Sequence, residues 1–240
     1  MRRTLVDPKG SPYAWVVTQF ALVHSPLVGP TTWWWVADEL RAGGDDVVIP
    51  RIVPGSLLDG WRSVVSQVAS QLSGTTGAVI VAHSGAGPLL PRIVEEAGAI
   101  EPALVFVDAG IPPIAGEAAL MPAELLEELT CLAHDGVLPP WSEWFGPDVM
   151  ATLIPDAEKR RLVTGELPRV PIRYLSGSIP AVRPWPASKN GYVLLSEAYA
   201  DDAKEARERG WEVVEIGGQH LDIVTRPRTV AEAIRHCGTV

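Results

Sequence analysis

Ser84 is the residue whose surroundings best suit it to act as a nucleophile. A continuous apolar run over residues 78–82 predicts a buried parallel strand, and a helical pattern follows the serine. Ala82 and Ala86 stand two positions before and after Ser84, where the sharp bend of a nucleophile elbow, commonly G-x-S-x-G, leaves no room for large side chains. The pattern therefore predicts a reactive serine. The simpler alternative is a tight turn in which Ser84 only caps the next helix.

His220 is the candidate base. A serine hydroxyl is a poor nucleophile until a base removes its proton, and imidazole titrates close to neutral pH. His220 lies in a glycine-rich loop after a strand predicted over residues 211–216, at the same sheet edge as Ser84, so we expect the two to meet there. A surface histidine is the alternative. We interpret His83 as structural, packed under the bend, and His24 as a hydrogen-bonding partner of the backbone.

Composition limits the class of protein. The chain has 240 residues, enough for one large α/β domain or two small ones, and its hydrophobic fraction of 47% suits a protein with a sizeable core. A formal net charge of -9 argues against a nucleic-acid partner. The cysteines, Cys131 and Cys237, have neither metal-type spacing nor a disulfide framework, so we expect reduced residues in a cytoplasmic protein. Neither a signal peptide nor a membrane-spanning segment is predicted.

Strands and helices are predicted to alternate over most of the chain, which favours an α/β fold with a mostly parallel sheet covered by helices on both faces. We expect a single domain over residues 1–240. A short edge strand within residues 1–15 is left open. The predicted strands cover residues 19–23, 46–53, 78–82, 103–107, 171–175 and 211–216, and helices beyond the one that follows Ser84 are predicted near residues 32–42, 57–72, 122–132, 156–163, 193–209 and 230–235.

The alternation of strands and helices stops over residues 113–168. This insertion is too long for an ordinary connection between a strand and a helix, and we interpret it as a small helical cap over the carboxyl edge of the sheet. Trp141, Trp144 and Phe145 in the cap, together with Leu27, are expected to line an apolar site. The alternative is that these aromatic residues only pin the cap to the sheet.

Four segments together resemble the α/β-hydrolase family, from about residue 19 onward. The second of them is similar to the V-G-H-S-x-G-G of compact esterases, thioesterases, lactonases and hydroxynitrile lyases, and the fourth to the family's histidine loop. The resemblance implies an α/β-hydrolase fold with a serine, a histidine and an acid at the site, but it does not identify a substrate. The segments are 21–26 (Ala-Leu-Val-His-Ser-Pro), 81–87 (Val-Ala-His-Ser-Gly-Ala-Gly), 106–109 (Phe-Val-Asp-Ala) and 217–221 (Gly-Gly-Gln-His-Leu).

The position of the acid departs from the commoner family pattern. Most relatives carry it after the seventh strand, yet the segment taken as that strand runs into residues 174–178, and no carboxylate follows before Glu197. A smaller branch, including pancreatic-type lipases, places the acid after the sixth strand, where Asp108 stands in the order Ser…Asp…His. A carboxylate at the end of an apolar strand needs a partner, and an imidazole N–H can supply one. We therefore expect Asp108 to orient His220. Asp222, or a Ser–His pair without an acid, are the alternatives.

The oxyanion hole is a second departure. The resemblance implies one donor at the amide of Gly85 and another in the loop after the strand at residues 19–23. The family donor would fall at Pro26, and proline has no N–H. Three possibilities stay open: Leu27 donates after a shift of the loop, Ser25 donates its hydroxyl, or the hole is incomplete.

These observations predict a serine hydrolase acting on a small or medium apolar ester, lactone or thioester. Ser84 would attack the carbonyl, His220 would transfer the proton, and Asp108 would orient His220. No cofactor or metal is predicted, and the expected partner is a small-molecule substrate rather than nucleic acid or a membrane. The oligomeric state is left open. The alternatives are lyase or cyclase chemistry in the same site, which Pro26 favours, and a non-catalytic ligand-binding protein.

Overall fold

The computed structural model describes residues 17–146 and 148–239, so the edge strand considered within residues 1–15 lies outside the described part. The strands are β1 Gln19–Val23, β2 Asp46–Val48, β3 Val79–Ser84, β4 Ala103–Ala109, β5 Glu117–Ala119, β6 Val137–Leu138, β7 Val170–Pro171, β8 Ser178–Pro180, β9 Lys189–Leu194 and β10 Glu212–Glu215. The α-helices are α1 Trp34–Ala42, α2 Trp61–Leu72, α3 Leu90–Ala97, α4 Ala123–Thr130, α5 Val149–Leu153, α6 Ala157–Thr164, α7 Ile172–Leu175, α8 Ala200–Glu208, α9 Asp222–Thr225 and α10 Pro227–Thr239. Short 3₁₀ helices cover Pro30–Trp33, Pro54–Asp59, Gly87–Leu89, Trp141–Glu143 and Glu197–Tyr199.

A six-stranded sheet forms the centre of the described part, in the order β10-β9-β4-β3-β1-β2. All of its strand pairs are parallel. The core strands β3 and β4 are buried along almost their whole length, as expected for strands covered on both faces. The predicted α/β fold with a parallel central sheet is confirmed.

Alternate side chains of the central strands serve opposite faces of the sheet. Ile80 and Phe106 belong to the apolar cluster that includes residues of α2, α3 and α8. Val81 and Val105 belong to a second cluster, which includes residues of α1 and α10. Two hydrophobic layers of helices therefore enclose one sheet, which makes the sheet a rigid support for whatever stands at its edge.

The parallel arrangement brings the carboxyl ends of the strands to one edge. Ser84 ends β3 and pairs in register with Ala109 of β4, and the register shifts between His83 and Ser84. Because of that shift, Asp108 has no register partner in β3 and adopts a φ of 42°. The strand ends are thus irregular at the position where the candidate residues stand.

Two predictions made for the chain after the cap are wrong. The segment 171–175 is not a strand of the sheet, because Pro171 leads directly into the short helix α7. The next strand of the sheet is β9, Lys189–Leu194, and the helix expected from residue 193 begins only at Ala200. Gly191 weakens the strand pattern, but a Cβ at that position would lie 2.5 Å from Cys237 Cβ, so the glycine allows α10 to pack closely on β9. The predicted strand 46–53 is also shorter, ending at Val48.

The chain leaves the central sheet after β4 and returns to it at β9. Between them lie the helices α4 to α7 and two antiparallel ribbons, in which β5 pairs with β8 and β6 with β7. The excursion includes the segment 113–168 expected as a cap. None of the helices within the described residues has the length and apolar character needed to cross a membrane.

Candidate active site

Ser84 stands at a sharp bend between β3 and the 3₁₀ helix Gly87–Leu89. Its φ is 55°, in the left-handed region that a non-glycine residue adopts only when its surroundings hold it there. The bend requires small neighbours, because a Cβ on Gly87 would lie 2.3 Å from the carbonyl oxygen of Gly110. The backbone after β4 therefore packs directly against the bend and supports it.

Asp108 and His220 form a direct hydrogen bond, with 2.9 Å between His220 Nδ1 and Asp108 Oδ2. Asp108 is fully buried, and the backbone amides of Leu195 and Ser196 donate to its Oδ1 at 2.7 and 3.0 Å. The Ser196 hydroxyl donates to Oδ2 at 2.5 Å. These contacts fix the orientation of the carboxylate and, through it, the orientation of the imidazole.

The same contacts keep Asp108 ionised. Burial alone would raise the pKa of Asp108, but the hydrogen bonds from His220 and Ser196 outweigh burial and lower its pKa below the ordinary value. An ionised Asp108 accepts a hydrogen bond from Nδ1–H, so Nε2 of His220 is the nitrogen available to accept a proton.

Two aromatic rings stack on the imidazole of His220. The His83 ring lies 4.5 Å away, centroid to centroid, and the Tyr199 ring lies 5.2 Å away with an interplanar angle of 10°. The Tyr199 hydroxyl lies 3.4 Å from Ser84 Oγ, within hydrogen-bonding distance. Among the described residues, the Ser84 side chain forms no hydrogen bond with His220. Tyr199 thus touches both Ser84 and His220, and the two residues face the same region.

His83 and His24 are buried and hold backbone groups. His83 Nε2 donates to the carbonyl oxygen of His220 at 3.0 Å, while burial, followed by the proximity of His220, lowers the pKa of His83 to about 3. The amide of Ile52 donates to His24 Nε2 and His24 Nδ1 contacts the Ser25 carbonyl; burial lowers the pKa of His24 to about 4. Both rings are neutral at pH 7, and their contacts are those of structural residues.

The loop after β1 lies beside Gly85, the residue that follows the serine. A Cβ at Gly85 would lie 3.1 Å from Ser25 Oγ and 3.9 Å from Pro26 Cδ. The amide of Leu27 donates to Ser25 Oγ at 3.2 Å, so the Ser25 hydroxyl keeps its own hydrogen for another acceptor. Ser25 Oγ is therefore close to Gly85, while the Leu27 amide is directed to Ser25 Oγ.

The cap aromatics differ in position. The Trp141 ring lies 6.4 Å from the His220 ring, so it borders the site. Trp144 is buried, and its Nε1 donates to the Pro139 carbonyl, a hydrogen bond between two residues of the cap. Phe145 is 52% exposed and packs edge-on against the two tryptophans. Of the three rings, Trp141 is the one that pairs with the ring of His220.

Asp222, the alternative acid in the sequence analysis, forms its side-chain hydrogen bonds with residues other than His220. Its Oδ2 accepts the amide of Gln219 at 3.0 Å, and its Oδ1 accepts the Thr225 hydroxyl at 2.5 Å. It also pairs with Arg226 at 3.5 Å. These contacts shape the loop that carries His220, and the imidazole itself is bonded to Asp108.

Sequence reasoning missed Ser196 and Tyr199. Both follow β9 at the same sheet edge as Ser84, but β9 was expected elsewhere, so no signal directed attention to them. A strand placed at Lys189–Leu194 would have identified them as residues of that edge. Within the described ranges, no three His, Cys, Asp or Glu side chains cluster in a way that would hold a metal ion.

Comparison with known proteins rests on solved structures, because no family model matches the chain and no curated protein matches it. An extracellular α/β-hydrolase from a Paenibacillus species has 16% identity and a TM-score of 0.76, covering 93% of this chain and 100% of its own. Tomato methylketone synthase I has 15% identity and a TM-score of 0.72, covering 92% and 98%. Polyneuridine aldehyde esterase has 16% identity and a TM-score of 0.72, covering 92% and 99%. The chain has the α/β-hydrolase fold.

Proposed function

We propose that this protein is a serine hydrolase acting on a small or medium apolar ester, lactone or thioester. The observation that carries the proposal is the hydrogen bond of 2.9 Å between His220 Nδ1 and Asp108 Oδ2, formed beside a serine at a positive-φ bend. The proposed base and acid are thus bonded to each other, and a turn of the Ser84 side chain to His220 would complete the arrangement that activates a serine hydroxyl. The names of structural neighbours, an α/β-hydrolase and an aldehyde esterase among them, agree with this class.

In the proposed reaction Ser84 Oγ attacks the substrate carbonyl, and its proton passes to His220 Nε2. The carbonyl π electrons move to the oxygen, which becomes an oxyanion. The tetrahedral intermediate then collapses, the alcohol or thiol leaves with the proton from His220, and an acyl-enzyme forms on Ser84. Water repeats the sequence and releases the acid. Before the first step the Ser84 hydroxyl must rotate away from Tyr199 and towards His220 Nε2. Such a rotation is ordinary, because catalytic hydrogen bonds are often long or absent until substrate binds.

We assign the oxyanion to the amide of Gly85 and the hydroxyl of Ser25. Pro26 has no N–H, and the Leu27 amide already donates to Ser25 Oγ. A hydroxyl that accepts one hydrogen bond is polarised and becomes a better donor in its turn. The hydrogen bond from the Leu27 amide to Ser25 Oγ therefore prepares the Ser25 hydroxyl to donate to the oxyanion, and the loop does not need to shift.

An apolar substrate is supported by the groups around the site. Trp141 borders His220, and Leu27 is half-buried against the apolar core. A cavity of about 320 Å³ adjoins Pro26, but Arg51 and Glu166, which form an ion pair, help to line it, and Ser84 and Ser25 are not among its lining residues. The proposal of an apolar substrate therefore rests on Trp141 and Leu27.

The second candidate is lyase or cyclase chemistry in the same site. The observation that favours it is Pro26, which removes an amide donor from the loop, so that an oxyanion receives less support than in a hole with two amides. A non-catalytic ligand-binding protein is the third candidate, but it gives no reason for four hydrogen bonds to converge on a buried Asp108.

Labelling with a fluorophosphonate probe separates these candidates. We expect the wild type to be labelled, Ser84→Ala to lose labelling, and Ser70→Ala, which changes an exposed serine on α2, to retain it. Hydrolysis of p-nitrophenyl acetate or butyrate by the wild type would support the hydrolase. Labelling at Ser84 without hydrolysis of any ester would favour the lyase or cyclase, and an unlabelled wild type would overturn both in favour of ligand binding.

A further inference from the structure

Tyr199 is placed at the centre of the site, yet the reaction described above gives it no step. It ends the 3₁₀ helix Glu197–Tyr199, which follows β9. Its ring stacks on His220 with 5.2 Å between centroids, and its hydroxyl lies 3.4 Å from Ser84 Oγ. A tyrosine hydroxyl in contact with a nucleophile is in reach of any carbonyl carbon that the nucleophile attacks.

The stacking fixes the side from which Tyr199 approaches. His83 and Tyr199 both stack on His220, at 4.5 and 5.2 Å. Since one face of an imidazole accommodates one stacked ring, His83 covers one face and Tyr199 the other. His83 is buried and bonded to the His220 carbonyl, so Tyr199 approaches the imidazole from the side away from His83.

The two sides of a substrate carbonyl have different neighbours in this site. The oxyanion would lie by Gly85 and Ser25, which are close to each other. The leaving oxygen must lie by His220, because His220 Nε2 returns the proton to it. Tyr199 is stacked on His220 and its hydroxyl lies 3.4 Å from Ser84 Oγ, so a leaving oxygen held at His220 would lie within reach of that hydroxyl.

The Tyr199 hydroxyl is suited to donating a hydrogen bond while keeping its proton. Burial raises the pKa of Tyr199, and the hydrogen bond with Ser84 opposes this effect without cancelling it. The phenol therefore stays neutral over the pH range in which a Ser–His pair works, and a neutral O–H is a donor. The negative charges of the nearby Asp108 and Asp202 also raise the pKa of Tyr199.

We propose that Tyr199 is a catalytic residue that donates a hydrogen bond to the leaving oxygen of the substrate, an inference that rests on the proposed hydrolase function. When the tetrahedral intermediate collapses, the bond from carbon to the leaving oxygen breaks and its electron pair goes to that oxygen. The proton comes from His220 Nε2, and Tyr199 stabilises the developing charge without giving up its own proton. In deacylation the attacking water takes the place of the leaving alcohol, and the same hydroxyl holds it.

The test compares two esters of one acid that differ in leaving group. A p-nitrophenolate is a stable anion and needs little help, whereas an alkoxide needs protonation and hydrogen bonding. Tyr199→Phe keeps the ring that stacks on His220 and removes only the hydroxyl. For Tyr199→Phe we expect kcat/KM to fall about 10- to 100-fold with the methyl ester and less than about threefold with the p-nitrophenyl ester.

Tyr174→Phe is the matched control, because its buried hydroxyl has no hydrogen-bond partner within the described residues. It should leave kcat/KM unchanged for both esters. Tyr199→Leu, which also loses the stacked ring, should lower kcat/KM with both esters, since His220 then loses the packing on one face. The midpoint of thermal unfolding shows that each variant is folded.

The outcomes distinguish this proposal from the one on which it rests. An equal fall with both esters in Tyr199→Phe, or no fall, overturns the role of Tyr199 and leaves the hydrolase intact. A wild type that hydrolyses neither ester and is not labelled at Ser84 overturns the hydrolase, and the role of Tyr199 with it. Selective loss with the methyl ester supports both.

Discussion

His220 Nδ1 lies 2.9 Å from Asp108 Oδ2, although the two residues are 112 positions apart in the chain. Asp108 ends β4, and His220 follows β10 at the same edge of the sheet. The carboxylate is itself held by amides of Leu195 and Ser196, which follow β9. Three strand ends therefore determine the position of one imidazole, and the sheet supplies the rigidity that the proposed catalytic role requires.

Asp108→Asn should lower kcat by about 10⁴-fold. An amide cannot hold the Nδ1–H form of His220 by charge, and it can donate to Nδ1, which would leave the proton on the nitrogen that should accept one. The measurement is hydrolysis of a p-nitrophenyl ester at saturating concentration. Labelling of Ser84 by the fluorophosphonate probe should slow in parallel, although the serine itself is unchanged in this variant.

Asp222→Asn is the matched substitution at the other acid near His220. Asp222 organises its own loop through Gln219 and Thr225, so its loss should lower the free energy of unfolding by about 1 kcal/mol and change kcat less than tenfold. A severe loss of kcat in Asp222→Asn together with a mild one in Asp108→Asn would reverse the assignment of the acid.

Ser25→Ala should lower kcat about 10²-fold with little change in KM. The substitution removes the proposed second donor to the oxyanion and keeps the fold of the loop, because Ala fits where Ser25 is buried. The alternative donor gives the opposite result: if the Leu27 amide faces the oxyanion, losing its acceptor Ser25 Oγ would preserve or raise kcat. Steady-state hydrolysis of p-nitrophenyl butyrate distinguishes the two.

Gly87→Ala should destabilise the protein by about 1–3 kcal/mol. Its Cβ would lie 2.3 Å from the Gly110 carbonyl oxygen, a backbone atom that can move only if the end of β4 moves too. Asp108 stands in that strand end, so kcat should fall as well. Urea unfolding measures the first effect and ester hydrolysis the second.

Gly55→Ala is the control for the addition of a methyl group. A Cβ at Gly55 meets nothing within 4 Å, and its backbone is not in the left-handed region. Its stability and activity should match those of the wild type. A Gly87→Ala variant as stable as Gly55→Ala would show that the bend tolerates a larger residue, contrary to the packing described here.

The parallel sheet and the place of Ser84 could be predicted because they depend on local pattern. The apolar run before Ser84 and the small residues around it report directly on a buried strand and a sharp bend. The strand β1 was predicted with its observed bounds for the same reason. A strand that is apolar on both faces can be predicted from its own sequence, without knowledge of the strands beside it.

The residues after β9 could not be predicted because their positions depend on contacts far along the chain. Gly191 is in β9 so that Cys237 can approach, and nothing in the neighbouring sequence indicates that contact. Ser196 and Tyr199 acquire their partners, Asp108 and His220, only when β9 lies beside β4. The oxyanion loop poses the same difficulty, since a hydrogen bond from Leu27 to Ser25 does not follow from their residue types.

Stability should fall steeply as the pH drops below about 6.5, because His24 and His83 are buried as neutral rings. Burial lowers the pKa of His24 to about 4, and burial followed by the nearby His220 lowers the pKa of His83 to about 3. Below pH 6.5 the unfolded chain binds protons that the folded protein does not, so the free energy of unfolding decreases with falling pH. Asp108, whose pKa is lowered, acts in the same direction only below its ordinary value, near pH 4.

Between pH 6.5 and 5.0 the two histidines should together reduce the free energy of unfolding by roughly 3 kcal/mol. Urea unfolding at the two pH values measures this difference. His24→Asn replaces one titrating ring with an amide that can still pair with the backbone of Ser25 and Ile52, so it should remove about half of the pH dependence. His134→Gln, which changes a side chain 86% exposed, is the control for the substitution itself. An undiminished pH dependence in His24→Asn would mean that His24 takes up its proton in the folded state, which its two backbone contacts and its burial argue against.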